Sequence, residues 1–189
     1  MRSLVALVVL ALGACTQLPP QEVPGPARAG QPLVVVDIDG TLTPDVLAVT
    51  QARPAAAELL RVLVSKGYGL AYLTAREPLA QAGLPGWLQR EGFPAGPVHV
   101  AQSSAERADP ASFKARWLAV YTDRGWRLSW GYGDSTSDFV AYAKAGLARE
   151  QVFALRRRGD ADCQPGSYAR CLAGWEDHRR FIESLPEAR

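Results

Sequence analysis

The sequence predicts a doubly wound, parallel α/β sheet of five strands, and three observations predict it. Strand-like and helix-like segments alternate from residue 33 onward. The first strand, Leu33-Val34-Val35-Val36, is an unbroken apolar run of the kind buried on both faces of a sheet. Polar and acidic residues concentrate where the predicted strands end, the end at which open parallel sheets bind ligands.

The elements follow in order. Pro54 to Lys66 reads as a helix, with Ala57, Leu59, Leu60, Leu63 and Val64 along one apolar side, a proline in its first turn and Gly67 ending it. Tyr68 to Leu73 is a second strand. Leu79 to Glu91 is helix-like but interrupted by Gly83, Pro85 and Gly86, which predicts a kink or two short pieces. Val98-His99-Val100 is a third strand, Ala111 to Tyr121 a helix, and Arg127 to Trp130 a fourth strand. Thr136 to Ala145 is a helix ended by Gly146, Gln151 to Leu155 a fifth strand, and Trp175 to Leu185 a closing helix. His99 and His178 are isolated and read as structural.

Composition bounds the class. With 189 residues, 48% hydrophobic and 21% charged, the chain supports one packed domain and excludes global disorder. A net charge of +2 with no long basic block argues against a nucleic-acid partner. No apolar run reaches the roughly 18–20 residues that a transmembrane helix needs.

The first residues stand apart from that domain. Met1-Arg2 is a short positive region, and Leu4 to Leu12 an apolar core of signal-peptide length. Leu12-Gly13-Ala14-Cys15 resembles a bacterial lipobox, which marks residues 1–14 as a lipoprotein signal and Cys15 as the lipidated residue. The other reading is a buried N-terminal strand ending in cysteine. Thr16 to Pro32 carries Pro19, Pro20, Pro24, Pro26 and Pro32 and reads as an extended tether, able to reach about 55 Å. More than one acyl chain at Cys15 would hold the chain stably on a membrane. The expected location is the bacterial cell envelope, lipid-anchored and extracytoplasmic, with the outer membrane favoured because Thr16, rather than aspartate, follows Cys15. The folded domain then spans residues 33–189. Cys163 and Cys171 flank a short loop and can form a disulfide in an oxidising compartment; the alternative is half of a zinc site.

Four motifs fall at strand ends. Asp37-Ile38-Asp39-Gly40-Thr41-Leu42-Thr43 ends the first strand; carboxylates at i and i+2 need a chain that leaves the sheet between them, and Gly40 permits that turn. Thr74-Ala75-Arg76 ends the second, a hydroxyl and a guanidinium suited to phosphate oxygens. Lys114 lies in the helix after the third, and Gly133-Asp134-Ser135-Thr136-Ser137-Asp138 ends the fourth. Taken singly, the first motif also fits a calcium loop or a polar turn, Asp134 an N-cap, Asp138 a first-turn acid, and Lys114 a solvated lysine.

In order and placement these residues resemble the four motifs of the haloacid dehalogenase-like superfamily of phosphatases. Val36 to Thr43, Tyr72 to Arg76, Phe113-Lys114 and Phe139 to Tyr142 are similar to the lipin-type phosphatase domain, which also occurs in phosphatidylinositol-transfer proteins. The likeness covers roughly residues 33–155. Lipins carry Gly-Asn-Arg where this chain has Gly133-Asp134-Ser135. The resemblance implies a Rossmann-like core. It also implies a magnesium-dependent phosphomonoesterase with Asp37 as nucleophile, Asp39 as general acid and base, and Thr74 and Lys114 on the phosphoryl oxygens. Asp37, Asp39 (through its carbonyl), Asp134 and Asp138 would hold Mg²⁺, and Thr41 and Arg76 would bind substrate.

The superfamily's cap domains insert after the first motif or between the second and third. Thr43 to Tyr68 and Ala75 to Lys114 leave no room for a sizeable cap. An open site on an anchored chain favours a lipid phosphate such as phosphatidate as partner. Trp87 and Phe93 either dip into a membrane interface or belong to the core, and Arg156-Arg157-Arg158 either meets anionic lipid or is a solvated loop. Two further functional readings stand beside this one: a general extracytoplasmic phosphatase for soluble phosphomonoesters, and a phosphatidate-binding module without turnover.

Overall fold

A computed structural model describes residues 17–188, and the signal segment and Cys15 lie outside the described residues. Six strands form one sheet: β1 (Pro32–Asp37), β2 (Gly69–Thr74), β3 (Val98–Val100), β4 (Arg127–Gly133), β5 (Val152–Leu155) and β6 (Arg170–Leu172). Their spatial order is β3-β2-β1-β4-β5-β6, and every pairing is parallel. The helices are α1 (Ala56–Ser65), α2 (Leu84–Arg90), α3 (Ser104–Ala108), α4 (Pro110–Asp123), α5 (Thr136–Lys144) and α6 (Arg179–Ser184).

Every residue of β1 is buried, as a central strand with both faces covered requires. Its alternation divides the core. Val34 and Val36 face a layer containing Leu59, Leu60 and Leu63 of α1, Trp87 of α2 and Ile182 of α6. Leu33 and Val35 face Leu118 and Tyr121 of α4 and Phe139 and Tyr142 of α5. Strand order reverses between β1 and β4, so the loops leaving these two strands diverge to opposite faces and open a crevice at their carboxyl ends.

Several expectations are corrected. The sheet has a sixth strand, β6, whose three residues include one buried apolar side chain, Leu172, too little for a periodic signal. The interrupted second helix, by contrast, divides into two short pieces as expected, a 3₁₀ turn at Pro78–Ala80 and α2. The closing helix likewise begins as a 3₁₀ turn at Trp175–His178. In α1 the buried face is Ala56, Leu59, Leu60 and Leu63, with Val64 turned outward. Trp87 and Phe93 belong to the core, their rings tilted against each other at 5.3 Å, and the Trp87 indole donates to the Thr50 carbonyl, so neither meets an interface. Cys163 and Cys171 form a disulfide that ties β6 to the loop after β5, which replaces the zinc alternative.

The proline-rich segment is extended, yet from Gln17 it is not a free tether. Val23 is buried in the α4–α5 layer. The Gln21 side chain accepts the Val98 amide on the outer edge of β3, and the Pro24 carbonyl accepts the Trp126 indole. The segment is a strap lying on the domain.

His99 and His178 are both structural. His99 stacks on Trp117 and bonds the Tyr121 hydroxyl, while His178 lies among Phe153, Tyr132 and Phe181 with neither ring nitrogen partnered. Burial lowers each imidazole to about 4. The unfolded chain therefore takes up these protons first, so stability is complete above pH 6.5 and declines as pH falls toward 4, by about 1–3 kcal/mol per histidine. Urea unfolding of wild type and His178→Leu at pH 7.5 and 5 should show a smaller acid loss in the variant; an identical difference between the two pH values would refute this account.

Candidate active site

The crevice at the reversal point is a cavity of about 420 Å³ lined by Asp37, Asp39, Thr74, Arg76, Lys114 and Asp134, with Arg157 among its walls. Asp37 is the last residue of β1. Beyond it the chain turns, with the amides of Leu42 and Thr43 returning to the Ile38 carbonyl and Gly40 at φ +85°. A methyl group on Gly40 would lie 2.0 Å from a carboxylate oxygen of Asp134, so glycine is required both by conformation and by the approach of the two loops. Arg53, buried beneath this turn, donates to the carbonyls of Gly40 (2.8 Å), Thr43 (3.0 Å) and Arg156 (2.6 Å). It fixes the turn to the loop after β5, and the sequence reading missed it.

Lys114 reaches the crevice from α4 and is buried. Its ammonium donates to Asp37 Oδ1 at 2.5 Å and to Asp138 Oδ1. Burial opposes its charge, but Asp138 and Asp37 outweigh burial and hold the ammonium above its ordinary range. Asp138 sits in the first turn of α5, where its other oxygen accepts the amides of Asp134 and Ser135. Asp134 ends the β4 turn, and Arg157 donates to its carboxylate. Burial, with Asp138 close by, pushes Asp134 up to about 7. Burial also raises Asp37 well above the carboxylate range, against the pull of Lys114.

Asp39 lies at the crevice wall. Its Oδ2 accepts Thr74 Oγ1 at 2.7 Å, and Arg76 grips both its oxygens, with Nη2 to Oδ1 at 2.7 Å. Arg76 also donates to the carbonyls of Val49 and Ala80, tying Asp39 to two loops.

The sequence-predicted residues thus converge, with adjustments. Asp37, Thr74, Lys114, Asp134 and Asp138 meet in one crevice. The Asp39 side chain stands apart from the Asp37–Asp134–Asp138 group, paired with Arg76. Thr41 is fully buried and donates to Asp37 Oδ2 at 3.0 Å, so it orients that carboxylate instead of touching a ligand. The Arg76 guanidinium is engaged by Asp39 and is not a free phosphate donor. Within the arginine triplet, Arg157 turns into the crevice and pairs with Asp134, while Arg158 is exposed and pairs with Asp45. Arg157 could have been found by the rule that located the other motifs, since it follows the carboxyl end of β5.

The donor set fits a divalent cation. Asp37, Asp134 and Asp138, all buried, bring oxygens within 4.8 Å of one another. Hard oxygen ligands of this kind suit Mg²⁺ and its neighbours. Two of the three carry raised affinities for protons, first from burial and then from the neighbouring carboxylates.

A sheet wound this way, with acids and a lysine at its carboxyl-end crevice, defines a haloacid dehalogenase-like fold. The structure resembles a D,D-heptose 1,7-bisphosphate phosphatase from B. bronchiseptica complexed with magnesium and phosphate, at TM-score 0.60 and 16% identity over 82% of this chain and all of the other. It also resembles a putative HAD-like phosphatase from Mesorhizobium loti, at TM-score 0.62 and 20% identity over 90% and 93%. Within that fold, the family described as the LNS2 domain of PITM 1-3 matches residues 34–156, and the chain belongs to it. It is 29% identical over 151 residues to Drosophila melanogaster protein retinal degeneration B, covering 75% of this chain and 12% of that protein. It is 29% identical over 160 residues to human membrane-associated phosphatidylinositol transfer protein 3, covering 80% and 16%. The chain therefore spans only a small part of these relatives.

Removing Lys114 leaves Asp37 and Asp138 facing each other in a buried site. Lys114→Met should lower unfolding stability in metal-free buffer by about 3 kcal/mol. A loss under about 0.5 kcal/mol in denaturant titrations would show that the ammonium is not what permits these acids to be buried.

Proposed function

We propose that this chain is a metal-dependent phosphomonoesterase that works through an aspartyl-phosphate and acts on a lipid phosphate such as phosphatidate. The observation that carries the reading is the buried Asp37–Lys114–Asp138 group beside Asp134, with a second aspartate, Asp39, at the wall of the same cavity.

Asp37 is the nucleophile, its carboxylate oriented by Thr41 and Lys114. Its oxygen bonds to phosphorus as the ester P–O bond breaks, and the bonding pair leaves with the alcohol oxygen, which takes a proton from Asp39. Water then attacks phosphorus, gives its proton to Asp39, and the Asp37 carboxylate departs. Lys114 and Thr74 stabilise the charge gathering on the phosphoryl oxygens. Asp37, Asp134, Asp138 and the Asp39 carbonyl would hold Mg²⁺, which supplies the positive charge that lets two anions approach. To pass a proton to the leaving oxygen, Asp39 must be free of Arg76, with which it is ion-paired here. An arriving phosphate that draws Arg76 toward itself releases Asp39 for that step.

The substrate preference is supported by kinship with phosphatidylinositol transfer proteins and by the uncapped cavity: among the described residues, no separate domain stands over it. The proposed location is the extracytoplasmic face of a bacterial membrane, held by lipid on Cys15. The signal-like segment and the Cys163–Cys171 disulfide support it.

Phosphate release from phosphatidate in mixed micelles, compared with a soluble phosphomonoester with and without Mg²⁺, tests the chemistry. Asp37→Asn should abolish release, and Asp39→Asn should reduce it by about 10²–10⁴-fold while phosphatidate binding persists. Turnover of the soluble ester alone overturns the lipid preference. Binding of phosphatidate without turnover of either substrate establishes a binding module, a reading favoured by the ion pairs that occupy Asp39 and Asp134. Separately, Cys15→Ala should shift the protein out of the membrane fraction of expressing cells, and an unchanged distribution would refute the anchor.

A further inference from the structure

We infer that the rim of the cavity is a membrane-docking face on which Leu47 and Leu79 enter the bilayer surface and set the cavity mouth against it. The inference rests on the lipid-phosphate reading for its purpose, but not for its observations.

Leu47 and Leu79 are 87% and 85% exposed, well beyond the other exposed large apolar side chains of the described residues, which lie at 38–42%. Both flank the same cavity. Leu47 stands between the lining residues Val46 and Val49, and Leu79 immediately precedes the lining residue Ala80. Arg76 holds these two loops together through the Val49 and Ala80 carbonyls. Solvating two large aliphatic side chains at one opening is unfavourable, and a lipid surface relieves that cost. The apolar lining (Val46, Val49, Ala75, Ala80 and Pro110) shares the cavity with the carboxylates and cations. Such a site takes a charged headgroup while acyl chains remain in the bilayer, which requires the mouth to face it.

The course of the strap supplies the independent observation. The described chain begins at Gln17, whose side chain donates to the carbonyl and to the side-chain oxygen of Gln102, both at 2.9 Å. The Leu18 amide donates to the side-chain oxygen of Gln81, and the Leu18 carbonyl accepts from Gln102. Gln81 is fully buried and donates to the Arg76 carbonyl at 2.7 Å, two residues beyond Leu79. The strap therefore delivers the N-terminal part of the chain to the cavity end of the sheet. Cys15 lies two residues before Gln17, about 7 Å at full extension. A lipid on Cys15 would thus bring the membrane to this rim instead of leaving the domain on a long leash. The occupant is a lipid bilayer, reached both by the strap and by the exposed leucines.

Hydrogen–deuterium exchange of the full chain, alone and with phosphatidylcholine vesicles with or without phosphatidate, tests the inference. Amides of residues 45–51 and 77–82 should exchange about fivefold or more slowly with either vesicle, while those around Val64, at the far end of α1, should not change. The pair Leu47→Ser and Leu79→Ser should remove that protection and weaken vesicle partitioning of a Cys15→Ser chain about tenfold or more, with no loss in thermal melting. Val64→Ser serves as the control. Absence of rim protection, or protection that survives the double substitution, overturns the inference. Additional slowing at residues 134–138 with phosphatidate alone judges the lipid-phosphate reading separately, since rim protection without it leaves docking intact while that reading fails.

Discussion

The contact on which the rest of the site depends is the buried ammonium of Lys114 between Asp37 and Asp138. It joins the end of β1, the body of α4 and the first turn of α5, and no one of these segments could bury its charge alone. Two carboxylates around one ammonium leave an excess of negative charge among side chains that are themselves buried. The strand-end geometry makes that crowding unavoidable, because Gly40 lets the Asp37 loop come so near Asp134 that a side chain would not fit. Close approach of acids is thus a property of the backbone, and the cations are arranged around it.

Four carboxylates (Asp37, Asp39, Asp134, Asp138) face three cations (Lys114, Arg76, Arg157), so the crevice holds one negative charge more than it neutralises when all are ionised. A phosphate dianion would deepen that excess, and a divalent ion would offset it. Arg157 on Asp134 supplies part of the missing charge, and burial, together with the neighbouring carboxylates, raises the proton affinity of Asp37 and Asp134. The pairing of Arg76 with Asp39 is different in kind. It takes a carboxylate out of the crowd and ties it to the loops at the cavity mouth. One group of charges crowds three buried carboxylates together, and the other fixes a fourth at the wall.

Much of this was legible in the sequence, because the features that carried it are local. A run such as Leu33 to Val36 has few alternatives to a central strand, and acids at consecutive strand ends meet in any parallel sheet whose order reverses between them. What was not legible depended on partners distant in the chain. Composition identified the proline-rich segment as extended, but its docking rests on Gln17, Gln21 and Val23 meeting Gln102, Val98 and the α4–α5 layer. Arg157 and Arg53 looked like ordinary basic residues because their carboxylate and carbonyl partners come from other strands. β6 escaped because three residues on an edge strand carry no period, and its place is fixed by pairing with β5 and by the disulfide.

The absence of a covering domain among the described residues shifts a burden onto the rim. Where a cap closes over a site, it excludes water and selects the leaving group in one movement. Here the rim is two loops fixed by internal ties: Arg76 to Val49 and Ala80, the Trp87 indole to Thr50, and Arg158 to Asp45. Loops tied this way do not need to close in order to be ordered. On the proposed mechanism, hydrolysis of the aspartyl-phosphate requires water, so an open mouth would not oppose it. What an open mouth gives up is discrimination by enclosure. If the rim docks on a bilayer as inferred, selection comes from the surface the mouth is held against, and the strap and the exposed rim leucines become part of the site's specificity.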